Sequence, residues 1–130
     1  MAEAFVNDSG LRPVFVIEDD EGVRASTRAL LEASGFVVRT FASAEDLLAA
    51  GTAGEAGCFV LDHHLSGITG IDLVETLRAQ GLQTPAIMMT SNGTQLAVRA
   101  AKVGVTAVLR KPLAGDALAE WLDRILPRPR

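Results

Sequence analysis

The feature that most limits how this chain can fold is an alternation. Five short runs, "VFVI" (14–17), "VVRTF" (37–41), "CFVL" (58–61), "AIMMT" (86–90) and "TAVLR" (106–110), are rich in β-branched or bulky apolar residues, and most are bounded by glycine, proline or acids. Such runs predict strands. A helical segment follows each. Val23, Ala25, Leu30, Leu31 and Ala33 fall largely on one face of a helix that stops at Gly35. Ser43 precedes "AEDLLAA", Gly70 precedes "IDLVETLRAQ" with Gly81 behind it, and Thr94 precedes "QLAVRAAKV" with Gly104 behind it. In "GDALAEWLDRIL", Leu118, Leu122 and Ile125 make one stripe with Trp121 beside it as a core residue, and Pro127 ends the segment. Strict β-α alternation with nearly all-apolar strands predicts an α/β fold, a doubly wound five-stranded parallel sheet with helices on both faces.

The 130 residues fit one domain with a substantial core, and a net charge of -4 argues against general affinity for nucleic acid or anionic membranes. Residues 1–12 are polar and aperiodic, which predicts a flexible N-terminal arm, a domain over 13–127 and a short tail at 128–130. The single cysteine, Cys58, has no partner for an internal disulfide and sits in an apolar run, as a small buried hydrophobe does. The first residues lack a basic and then apolar signal pattern, and no apolar run approaches the ~20 residues a membrane span needs, so a cytoplasmic protein is expected.

In parallel sheets of this kind ligands bind beyond the carboxyl ends of the strands. The residues there are Glu18, Asp19, Asp20 and Glu21 after the first strand, Asp62 after the third, Thr90 and Ser91 after the fourth, and Lys111 and Pro112 after the fifth. Carboxylates sharing one site repel unless something neutralises them. Hard oxygen ligands suit Mg²⁺ (or Mn²⁺), which binds one or two carboxylates together with water, backbone carbonyls and a phosphate oxygen. A metal, a lysine and a hydroxyl around a lone carboxylate are the parts that phosphoryl transfer needs. Asp62, alone at the end of the third strand, is the candidate nucleophile, and Lys111 the cation that pairs with it.

With these residues in that order, the chain from about Val14 to Leu126 resembles the receiver domains of bacterial two-component response regulators. "VIEDDEGVR" resembles the acidic pair of that family, "LDHHLSGITG" the phosphoacceptor segment, "MMTSNG" the hydroxyl segment and "LRKPL" the lysine segment. The resemblance implies a flavodoxin-like strand order of 2-1-3-4-5, with Asp62 as the phosphorylated residue. Asp19 would be the principal metal ligand, Glu18 would act mainly through water, and the backbone carbonyl of His64 would be a further ligand. Thr90, Ser91 and Lys111 would bind the phosphoryl group, and the Lys111-Pro112 bond would be cis. Asp20 and Glu21 would instead stabilise the start of the first helix. His64 and Asn92 would border the path of attacking water and tune the lifetime of the phosphoryl group. The donor would be a histidine kinase or phosphotransfer protein, and the output an effector domain or partner, with a possible phosphorylation-dependent homodimer.

Two positions depart from the family. Ser66 stands where a proline is usual, which predicts a more mobile loop, and Val108 stands at the switch position, where an aromatic ring usually turns inward. "VRASTRALLEASGF" with "FASAEDLL" resembles receivers that precede LuxR-type effector domains in nitrogen-fixation-type regulators. Other classes fit less well. A haloacid-dehalogenase-like phosphohydrolase needs an acid where His64 stands, and a flavodoxin needs a phosphate loop where the four acids would repel phosphate. Adjacent His63 and His64 rarely give two ligands to one metal. A phosphorylation-independent binding module is the remaining alternative. The domain is thus expected to catalyse only its own phosphorylation and dephosphorylation, with no membrane or nucleic-acid contact of its own.

Overall fold

The computed structural model describes residues 12–91, 94–111 and 116–126. Their order is β1 (Val14–Ile17), α1 (Glu21–Ala33), β2 (Val38–Phe41), α2 (Ala44–Ala50), β3 (Cys58–Asp62), α3 (Gly70–Ala79), β4 (Ala86–Thr90), α4 (Thr94–Lys102), β5 (Ala107–Arg110) and α5 (Ala117–Ile125), with a 3₁₀ turn at Ala53–Glu55 before β3. All pairings are parallel, as the alternation predicts, and the sheet order is β2-β1-β3-β4-β5, as the family resemblance implies.

Side chains of a strand alternate between faces, so a sheet covered twice needs apolar residues at both odd and even positions. Phe15, Ile17, Phe59, Leu61 and Met88 pack on one face with Leu47 of α2, Leu73 and Leu77 of α3 and Leu96 of α4. Val14, Val16, Val60, Ile87 and Met89 pack on the other with Leu31 of α1 and Leu118 and Leu122 of α5. Trp121 is half-buried against this second layer, with the Arg124 guanidinium 5.2 Å from its ring centre. Cys58 is buried, and that burial pushes its thiol up to about 12.

The helix ends follow local chemistry. Asp20 caps α1 by accepting from the Val23 amide at 2.9 Å, and Ser43 caps α2 by accepting from Asp46 at 2.9 Å. At α3 the cap is Thr69 rather than Gly70: its hydroxyl accepts from Asp72 while the Asp72 carboxylate accepts from the Thr69 amide. Gly70 is already helical, and its lack of a side chain has another cause. A Cβ there would lie 2.9 Å from the Asp62 carbonyl oxygen and from the His63 Cα. The helix therefore starts hard against the end of β3.

The expected inner face of α1 is corrected. Thr27 and Leu31 point inward, while Val23 and Leu30 remain 37% and 38% exposed and Ala25 and Ala33 face solvent. Adjacent helical residues are turned by about 100° from one another, so Leu30 and Leu31 cannot share one narrow inner stripe. Arg12 donates to the Gly54 carbonyl at 2.8 Å. The rest of the arm, Pro127 and the tail lie outside the described residues. No described helix is long and apolar enough to cross a membrane.

Candidate functional site

Among the described residues only Glu18, Thr27, Asp62 and Thr90 are buried polar or charged, and all but Thr27 lie at the carboxyl ends of strands. Parallel register puts them side by side: β1 and β3 are adjacent, Asp62 pairs with Met89, and Thr90 pairs with Arg110 just before Lys111. Ladder bonds continue past the strands, from the Glu18 amide to Phe41 (3.0 Å), His63 to Met89 (2.9 Å) and Lys111 to Thr90 (2.8 Å), so the rim residues sit on fixed backbone.

Lys111 links the site. Its Nζ lies 2.5 Å from Asp62 Oδ2 and 3.2 Å from Glu18 Oε1. The second contact was not anticipated from sequence. The other oxygens of both carboxylates are also held: Asp62 Oδ1 accepts from the His64 amide at 2.9 Å, and Glu18 Oε2 from the Asp20 amide at 3.1 Å. Arg24 of α1 donates to the Glu18 carbonyl at 2.8 Å, a further support that sequence reading missed.

Oxygens of Glu18, Asp19 and Asp62 all lie within 4.8 Å of one another. Burial is the main reason that Glu18 is held above the ordinary carboxylate value; the Asp62 charge adds to this, while the Asp20 amide and Lys111 oppose it. Burial alone would lower Lys111, but its bond to Asp62 and the charges of Asp62 and Glu18 outweigh that and raise it. Asp19 is exposed, and the Ser66 hydroxyl is the main cause of its lowered value. Three clustered carboxylates, two of them paired with Lys111, make an acid-rich oxygen pocket, which fits a hard divalent cation.

Thr90 is fully buried at the end of β4 and Ser91 is exposed beside it. Asn92 and Pro112 lie outside the described residues. Val108 is half-buried opposite Met88 and packs against the core. The His63 and His64 rings meet edge to face at 5.1 Å. His63 Nδ1 is buried with no hydrogen-bond partner among the described residues, and burial, then the neighbouring His64 charge, lowers its pKa. Ser66 does not stand apart from the site: its hydroxyl donates to Asp19 Oδ2 at 2.9 Å. The polar residue in place of proline was the available sign of this contact, but its partner lies far away in sequence.

The response regulator receiver domain family model matches residues 14–123, and the chain belongs to that family, the phosphoacceptor modules of two-component signalling. Within it, the chain is similar to regulators of transcription. It is 42% identical over 107 residues to the transcriptional regulatory protein FixJ of Azorhizobium caulinodans, covering 82% of this chain and 51% of that protein. It is 34% identical over 114 residues to the transcriptional regulatory protein TdiR of Thauera aromatica, covering 87% of this chain and 50% of the relative. The chain thus spans about half the length of these two curated relatives. The crystal structure of FixJ-N superposes with a TM-score of 0.79 at 30% identity, covering 87% of this chain and 91% of that one.

Proposed function

We propose that Asp62 is the phosphoacceptor of this receiver, with Asp19 and Asp62 as its chief metal ligands. The observation that carries this reading is the position of the Asp62 carboxylate, bound by Lys111 and clustered with the carboxylates of Glu18 and Asp19. An Asp62 oxygen attacks phosphorus, the bond from phosphorus to the donor's leaving group breaks, and an acyl phosphate forms on the side chain. Asp19, Asp62 and the His64 carbonyl would hold Mg²⁺ or Mn²⁺, with Glu18 acting through water, and the bound cation would screen the repulsion between carboxylate and phosphoryl anion.

Lys111 supplies a compact positive charge, and Thr90 and Ser91 supply hydroxyls for a further phosphoryl oxygen. Before phosphorylation Lys111 offsets part of the site's negative charge through Asp62 and Glu18. Afterwards it exchanges that contact for the phosphoryl group, and the two arrangements are the states between which the domain shifts. Val108 is too small to act as an inward-turning ring, so the movement is carried by backbone near Thr90. His64 and Asn92 set the lifetime of the phosphoryl group by bordering the path of water.

The donor in this reading is a histidine kinase or phosphotransfer protein. The similarity to FixJ and TdiR supports an output effector that controls transcription. A phosphorylation-dependent homodimer fits the same reading. The test is intact-protein mass after incubation with acetyl phosphate and Mg²⁺. One phosphoryl group is expected on the parent and none on Asp62→Ala or on chelated protein. Equal labelling of parent and Asp62→Ala would overturn the assignment.

A further inference from the structure

Of the three clustered carboxylates, two are locked by the fold. Glu18 is bound by Lys111 and the Asp20 amide, and Asp62 by Lys111 and the His64 amide. Asp19 differs, since it is exposed and stands on the connection from β1 to α1. A surface carboxylate free to rotate must lose that freedom when it joins a cation. The Ser66 hydroxyl, on the connection from β3 to α3, reaches across to it at 2.9 Å.

The segment that carries Ser66 has supports of its own. The Leu65 and Gly70 amides both donate to the His63 carbonyl, at 3.2 and 2.9 Å, and Gly67 takes a φ of 84° that a side chain would resist. The hydroxyl is thus presented from a tied loop. A proline at this position has no hydrogen-bonding side chain and cannot make the contact.

We infer that Ser66 is a positioning residue for the metal site: its hydroxyl holds the Asp19 carboxylate in place beside Asp62, and through this bond the β3–α3 loop becomes part of the cation-binding unit. The inference rests on Asp19 being a metal ligand, as proposed above. Outer hydrogen bonds of this kind orient a ligand before the metal arrives, and their loss typically weakens binding.

The test is a calorimetric Mg²⁺ titration of the unphosphorylated protein, with no phosphodonor, on the parent and on Ser66→Ala, Ser66→Thr, Ser66→Pro and Asp19→Ala, beside thermal unfolding without metal. Ser66→Ala and Ser66→Pro are expected to bind Mg²⁺ about tenfold more weakly, and Ser66→Thr to stay within about twofold of the parent. The metal-free melting temperature of Ser66→Ala should match the parent, which separates positioning from folding. Asp19→Ala should lose more affinity than any Ser66 variant. Parent-like binding by Ser66→Ala, with Asp19→Ala crippled, would overturn the role of Ser66 alone. Parent-like binding by Asp19→Ala would instead remove the ligand assignment and the inference with it.

Discussion

The two ends of this sheet solve opposite problems. At the amino end, backbone groups close on one another: the Val14 amide bonds Val37 at 2.8 Å, Gly57 bonds Pro13 at 2.8 Å, Phe59 bonds Pro85 at 2.9 Å and Thr106 bonds Ala86 at 2.8 Å. Those pairs are neutral and satisfied within the fold. At the carboxyl end the same strands deliver Glu18, Asp62 and Thr90 into a buried rim, with Lys111 between the two acids. One end supports the fold and the other holds like charges together at its expense. The difference is that the amino end gathers neutral, mutually satisfied backbone groups, whereas the carboxyl end gathers the acidic cluster on which the proposed cation and phosphoryl sites rest.

The comparison can be sharpened by substitutions in the two regions. The largest effect is expected for Phe59→Ala, because Phe59 is fully buried in β3 and meets Phe15 edge to face at 6.0 Å. Urea unfolding should show a loss of about 3–5 kcal/mol, and Mg²⁺ should not restore it selectively. Lys111→Met comes next, since it leaves two acids without their cation. With the Lys111 side chain 27% exposed, a loss of about 1–3 kcal/mol is expected. Added Mg²⁺ should recover part of this loss, as a ligand of the native state does. Equal responses of the two variants to Mg²⁺ would erase the distinction between the ends.

A smaller effect concerns pH. Burial raises the folded-state value of Glu18 above 4.5, so in that window the native protein retains a proton that the unfolded chain has released. This contribution is fully present below 4.5 and is lost as pH rises through the folded-state value. Asp19 acts in the other direction: its lowered value gives stability that is present above 3.8 and lost as pH falls through the folded-state value. Urea unfolding at a series of pH values should show a flatter profile above pH 4.5 for Glu18→Gln than for the parent. An unchanged profile would mean that Glu18 is not the group responsible.

The strands were readable from sequence because burial on both faces leaves a nearly continuous apolar run, as in "VFVI" and "CFVL". The rim followed from them, since Glu18, Asp62, Thr90 and Lys111 stand at or beside strand ends and a parallel sheet brings such ends together. Contacts between connections were not readable. Ser66 and Asp19 meet because two loops converge, and no periodicity within either segment records it. The inner face of α1 was misread for a related reason: where the helix lies over β1 and β2 decides whether Leu30 or Leu31 turns inward. At α3 the Thr69 and Asp72 spacing did carry a capping signal, but the neighbouring glycine obscured it.

The most direct test of the account is to locate the phosphoryl group. The parent protein would be treated with acetyl phosphate and Mg²⁺, the acyl phosphate reduced with borohydride, and the peptides mapped by mass spectrometry. Reduction confined to Asp62, and absent when Mg²⁺ is chelated, is the predicted result. Modification at Glu18 or Asp19 with Asp62 untouched, or labelling that does not depend on the metal, would contradict it.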